Sequence, residues 1–177
     1  MKWKKQPKMY GKHFELMNLA YKKILSCNFA KKGGSERYYE NTLTTLLETS
    51  HRLKNTLITQ SNIEEIEKIT QADFFAFRHR PDVTIGKDGT AIELKVVKRG
   101  LSVREAIGQA IFYRHAYRYV ILVLLDMTKE QILYKTCKKR KSPEAHFLNE
   151  LARQYYIFTI IAPHSKQKNI GFNGGLF

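Results

Sequence analysis

Tyr119-Val120-Ile121-Leu122-Val123-Leu124-Leu125 is an unbroken apolar run. A strand with one wet face alternates apolar with polar residues. A strand that does not alternate must be covered on both faces, which calls for helices above and below a sheet. The segment before it supplies the connection. Ser102-Val103-Arg104-Glu105 has the capping-box pattern, and Val103, Ala106, Ile107, Ala110 and Ile111 recur at helical spacing as the buried stripe of a helix reaching about Tyr117. Residues 91–97, closed by Gly100, alternate as a strand. Strand, helix, strand at this spacing is a βαβ unit, so 119–125 is predicted to lie parallel to 91–97 through a right-handed crossover.

Residues 91–97 also form half of a second pattern. Residues 80–97 hold two alternating runs joined by Lys87-Asp88-Gly89-Thr90, and Asp-Gly between such runs signals a β-hairpin with a type I′ turn. With Asp88 and Gly89 as the loop, Ile85 pairs with Ile92, Val83 with Leu94, Thr84 with Glu93 and Asp82 with Lys95. Cross-strand partners share a face and faces alternate. Val83, Ile85, Ile92, Leu94 and Val96 then line a core face, while Asp82, Glu93 and Lys95 converge on the other.

The rest of the chain frames this hairpin. Residues 1–10 read as a basic arm or helix lead-in. Phe14, Met17, Tyr21, Ile24 and Leu25 mark a helix over 12–27, ended by Lys31-Lys32-Gly33-Gly34. Ser35 is placed to cap a second helix running to about residue 54, with Tyr39, Leu43, Leu46 and Leu47 as its stripe. Ser61-Asn62-Ile63-Glu64 predicts a short helix through about Ile69. Residues 73–78 read as a strand. Ser142-Pro143-Glu144 starts a helix with Pro at its first position, Tyr155 to Ala162 reads as a last strand, and 171–177 as a loose tail. The order predicts one α/β domain over 1–177, a mixed sheet flanked by helices, with a core at about 36–126 and a C-terminal helix–strand extension.

The 31 Lys and Arg against 16 Asp and Glu give a formal net charge of +15, which calls for an anionic partner, with nucleic acid first. No apolar run approaches the roughly 20 residues of a spanning helix, so a membrane is not expected. Two cysteines, Cys27 and Cys137, lack metal-ligand spacing and do not make a disulfide scaffold. With no apolar leader after Met1-Lys2-Trp3-Lys4-Lys5, the expected setting is intracellular, cytoplasmic or nucleoid-associated.

The chemistry follows from residue types. Mg²⁺, with Mn²⁺ as a substitute, takes one or two carboxylates plus water and substrate phosphate. Asp82 and Glu93 supply such a pair, and the Leu94 carbonyl lies between two site residues as a further ligand. Lys95 is a compact cation able to hold and help deprotonate an attacking water, or to neutralise charge on a phosphorane-like transition state. Arg80, Lys98 and Arg99 flank the motif as candidate phosphate contacts. Lys138, Lys139 and Arg140, in a basic run over 129–141, are further candidates.

Pro81-Asp82 followed across a turn by Glu93-Leu94-Lys95 resembles the PD-(D/E)XK nuclease superfamily. Gln109-Ala110-Ile111-Phe112-Tyr113 is similar to the Gln and Tyr that many members carry on the next helix. The resemblance covers about residues 36–126 and implies a restriction-endonuclease-like αβββαβ core. It implies that Gln109 and Tyr113 orient substrate or the site, and that an acidic residue of an earlier helix helps hold metal, Glu40 first and Glu36 second. The expected function is a metal-dependent endo- or exonuclease hydrolysing phosphodiester bonds, in DNA ahead of RNA, as a homodimer or with a partner subunit. The alternative is a nucleic-acid-binding or assembly module that keeps the fold without the activity.

Overall fold

In the computed structural model, residues 7–29, 34–59, 71–74 and 76–177 are described. The short helix expected from Ser61 to Ile69, most of the Lys31–Gly34 break and residues 1–6 of the basic arm lie outside them. Helix α1 spans Lys12–Ser26 and α2 spans Glu36–Glu48. Ser35 caps α2 as expected, its hydroxyl accepting from the Tyr38 amide at 3.2 Å. The helix does not run unbroken to residue 54. The Thr49 hydroxyl bonds back to the Leu46 carbonyl at 2.7 Å, Ser50 turns extended, and a separate turn, α3, follows at His51–Lys54. Such local hydroxyl bonds compete with helix continuation.

Strands β1 (Leu57–Thr59), β4 (Val83–Ile85), β5 (Thr90–Val97), β6 (Tyr119–Asp126), β7 (Ile157–Pro163) and β8 (Ile170–Phe172) form a six-stranded sheet in the order β1-β4-β5-β6-β7-β8. β5, β6 and β7 run parallel, and the outer pairings are antiparallel, so the sheet is mixed. The crossover between β5 and β6 is helix α4, Gly100–Ala116. That helix starts two residues before Ser102. Arg99 occupies its N-cap without a side-chain bond, so the expected capping box is not used. Helices α5 (Ile132–Lys138) and α6 (Pro143–Tyr155) follow β6, and Ser142 caps α6 through the Ala145 amide at 3.1 Å.

The apolar run is covered on both faces. Ile121, Val123 and Leu125 join Ile92 and Leu94 in a core with α1 and α2, through Met17, Ile24, Tyr39, Leu43 and Leu47. Val120, Leu122 and Leu124 join Ala91 and Val97 in a second core against Ala106, Ala110 and Tyr113 of α4 and Leu148 and Leu151 of α6.

Two further expectations are corrected. The strand expected over 73–78 is a ribbon of its own, β2 (Ala72–Phe74) against β3 (Phe77–His79), outside the main sheet. Ala76 supplies the left-handed turn at φ 63°, without a Gly, Asn or Pro to mark it. β1, too short to show a period, takes the sheet edge instead. The tail is not loose. β8 pairs with β7, and the Phe177 ring packs on Phe14, Tyr21 and Phe158 with centroids 5.2–5.7 Å away.

Arg114 fixes the far end of α4. It is fully buried, and its guanidinium donates to the Tyr117 carbonyl after α4 and the Tyr155 carbonyl at the end of α6. Replacing it with Ala strands two carbonyls and loses two charge-assisted hydrogen bonds, a cost of about 3 kcal/mol. Arg114→Ala should therefore lower the melting temperature by roughly 6–12 °C, with Arg114→Lys in between, as read by calorimetric scanning.

Candidate active site

The site is built by the pairing of β4 with β5. The observed register is Val83 with Ile92, Thr84 with Ala91 and Ile85 with Thr90, two residues away from the expected one. Residues 86–89 all lie in the turn. Gly86 takes the left-handed conformation at φ 68° and donates its N–H to the Thr56 carbonyl at 2.8 Å. The Asp88 and Gly89 carbonyls accept from the Arg118 and Tyr119 amides, and the Asp88 carboxylate pairs with Arg118 at 3.6 Å. The Asp-Gly pair thus receives the start of β6 instead of making a two-residue turn.

A shift of two residues keeps every side chain on its face, whereas a shift of one would invert them. Val83, Ile85, Ile92 and Leu94 are accordingly in the α1–α2 core, with Asp82, Glu93 and Lys95 on the opposite face. Carried one step past Val83, the register sets Asp82 across from Glu93 rather than from Lys95.

Each group is held from a different element. Asp82 Oδ2 accepts from the Leu94 amide at 2.8 Å. Glu93 is buried, and its Oε2 lies 3.1 Å from the Tyr113 hydroxyl of α4. That hydroxyl also lies 3.0 Å from the Arg80 carbonyl, so Tyr113 ties β5 to the chain entering Asp82. Lys95 Nζ is 2.9 Å from Glu36 Oε1 at the start of α2, and the Val96 amide donates to Glu36 Oε2 at 3.4 Å. Glu36, second to Glu40 on sequence grounds, is the acidic residue in direct contact with Lys95. Glu40, one turn on, lies close enough for its charge to act on Asp82. Gln109, one turn before Tyr113, has a buried Oε1 without a hydrogen-bond partner among the described residues.

The electrostatics are those of a crowded acidic site. Burial raises the Asp82 carboxyl above its ordinary value, outweighing the Leu94 amide, and Glu40 and Glu36 add to the shift. Burial and the Asp82 charge raise Glu93, against the hydrogen bond from Tyr113. Burial raises Glu40, helped by Glu36. For Lys95 burial acts downward, but the bond and charge of Glu36, backed by Glu93 and Asp82, outweigh it and hold the ammonium above its usual value. Burial, then Glu93, pushes up the Tyr113 hydroxyl.

Asp82 and Glu93 are the pair suited to a hard cation, with waters and substrate oxygens completing its shell. Among the described residues, no three His, Cys, Asp or Glu side chains stand together as a ready metal cluster. The basic candidates divide. Arg80 is half-buried beside Asp82, while Lys98 and Arg99 are exposed just beyond β5. Those two line a cleft of about 430 Å³ with Gly100, Lys129 and Thr128. Lys138 and Arg140 open onto a different cavity of about 750 Å³, beside Asn149 and Asn169, which none of the carboxylates lines.

No protein-family model, curated protein or solved structure matches this chain. Among the described residues, no helix is long and apolar enough to cross a membrane.

The raised carboxylates have a consequence for stability. A folded state that binds protons more tightly than the unfolded chain gains stability below the ordinary carboxylate range near pH 4 and loses it as pH rises through the folded-state pKa. Without divalent ions, the melting temperature should fall as pH climbs from about 4 toward 8. Glu93→Gln keeps an acceptor for Tyr113 and removes the repulsion. It should be more stable than the parent at pH 8 by roughly 2 kcal/mol and show a flatter pH profile, as thermal denaturation across that range would report.

Proposed function

We propose that the chain is a metal-dependent nuclease of the PD-(D/E)XK type, cutting phosphodiester bonds in DNA ahead of RNA. The observation that carries this reading is the placement of Asp82 and Glu93 on one face of adjacent strands, with Lys95 one step further along β5. With the short α3 and the separate β2–β3 ribbon set aside, the order α2, β1, β4, β5, α4, β6 supports it, because it follows the αβββαβ order of that superfamily. The net charge of +15 suits a polyanionic substrate.

Asp82 and Glu93 would hold Mg²⁺ or Mn²⁺, with the Leu94 carbonyl as a further ligand and Glu40 close by. Bound there, the ion would polarise a phosphoryl oxygen and lower the pKa of a water. Tyr113 keeps the Glu93 carboxylate aimed into the site. Glu36 holds the Lys95 ammonium over the same face. An ammonium in an ion pair has no lone pair to accept a proton, so its role is to orient the water and neutralise charge building on the phosphate. Gln109, whose carbonyl oxygen has no partner among the described residues, would orient substrate. A homodimer or partner subunit would present two such sites to a two-fold target, within an intracellular setting.

The second reading is a binding or assembly module that keeps the fold without the activity. The Glu36–Lys95 ion pair favours it, because that contact already satisfies the site's cation. Calorimetric titration with Mn²⁺ separates the two. A nuclease site binds the ion and loses it in Asp82→Ala. Glu93→Gln and Lys95→Ala should each slow cleavage of single-stranded, duplex, branched or RNA substrates by about 10³-fold while leaving binding within a few-fold. Cleavage of none of these substrates, or a Glu93→Gln variant as active as the parent, would sink the nuclease reading.

A further inference from the structure

Phe77 stands at the tip of the β2–β3 ribbon with 70% of its surface exposed. Isolated exposed apolar residues are ordinary, and Phe147 on α6 is another. Phe77 differs in where it stands. In the ribbon register, Phe77 pairs with Phe74 and His79 with Ala72, so Ala72, His79 and Phe77 share one face. That face leans on α4. Ala72 is buried in the α4-side core, and the His79 ring meets Phe112 with centroids 4.9 Å apart. Phe77, two residues further out, overhangs this support.

The ribbon is joined to the carboxylates by both chain and hydrogen bonds. Arg80, which follows β3, offers its carbonyl to the same Tyr113 hydroxyl that holds Glu93. Asp82 lies five positions after Phe77, at most about 17 Å of extended chain. That is the length of roughly five stacked nucleotides at 3.4 Å each. Arg78 is exposed beside Phe77, with Asp73 opposite it in the ribbon, and half-buried Arg80 leads toward the site.

We propose that Phe77 is a stacking platform for an unpaired nucleobase, and that the substrate is a nucleic acid with a single-stranded or splayed segment within about five nucleotides of the cut. A phenyl ring offers only a π face and an edge. In continuous duplex each base face is already covered by its neighbours, so the ring finds a partner where a base is unpaired. Nearby Arg78 and Arg80 supply the charge for the flanking phosphates, and the His79–Phe112 contact holds the ribbon against rotation. This inference rests on the nucleic-acid reading above and names the substrate class for that site.

The test is binding without divalent ions, so that it is read apart from cleavage. Single-stranded, flapped and blunt-duplex oligonucleotides each carry 2-aminopurine, whose fluorescence drops on stacking with an aromatic ring. With the parent protein, the unpaired probes should be quenched and the duplex probe should not. Phe77→Ala should lose the quenching and weaken binding to the unpaired probes about tenfold, with duplex affinity changed less than twofold. Phe77→Trp should restore both. Because Phe77 is exposed, all variants should keep the parent's melting temperature. An equal loss on duplex and unpaired probes, or no loss on either, overturns the proposal. So does a Phe77→Ala variant that only abolishes self-association in sedimentation, because the ring would then serve a protein contact. Failure of the Glu93→Gln cleavage test would leave these binding results standing, and failure here would leave the metal site untouched.

Discussion

Half-buried Asp82, at the entrance to β4, and buried Glu93 of β5 stand across from one another, and much of the surrounding structure answers the cost of putting them there. Burying like charges is unfavourable unless hydrogen bonds, cations or protons compensate. The protein compensates from three directions, the Leu94 amide for Asp82, the Tyr113 hydroxyl for Glu93 and Lys95 beside both, while Glu36 holds Lys95 in place and adds a negative charge of its own. These come from β5, from the helix after it and from a helix far earlier in the chain, so the site exists only when the α/β layers have assembled. The sheet makes the geometry rigid. Ile92 and Leu94 are fully buried on one side of β5 while Glu93 points to the other. A slip of one residue would put a carboxylate into an apolar layer.

How much of this was legible in the sequence depended on the range of each interaction. The faces of the hairpin follow from period two and hold even though the register is two residues off. The parallel β5–α4–β6 unit follows from an apolar run that had to be covered on both sides. Ser35 and Ser142 follow from local capping chemistry. What escaped was set by contacts distant in sequence. The Asp-Gly pair has the chemistry of a tight turn, but Arg118 and Tyr119 draw its carbonyls to the start of β6, and Gly86 supplies the left-handed residue instead. The β2–β3 ribbon hides in an aromatic run because its turn uses Ala76. Phe177 packs on three rings from α1 and β7, and no local pattern in a Gly-rich tail announces that. The pairing of Lys95 with Glu36, 59 residues apart, has no spacing signature at all.

The two-residue difference in register also changes the chemistry of the site. In the expected pairing Asp82 stood opposite Lys95, a neutralised pair with Glu93 to one side. In the observed pairing the carboxylates oppose each other and the ammonium lies beyond them, at the end of β5 where α2 begins. An opposed acid pair holds protons or needs a cation to stay ionised, as the raised values of Asp82 and Glu93 show, whereas a salt-bridged pair needs neither. Two opposed carboxyls are oxygen donors of the kind a hard cation takes, and Lys95 lies at the rim, paired with Glu36. The longer turn, drawn out by Gly86 and by the contacts of Asp88 and Gly89 with β6, is therefore what separates a buried salt bridge from a candidate cation site on the same residues.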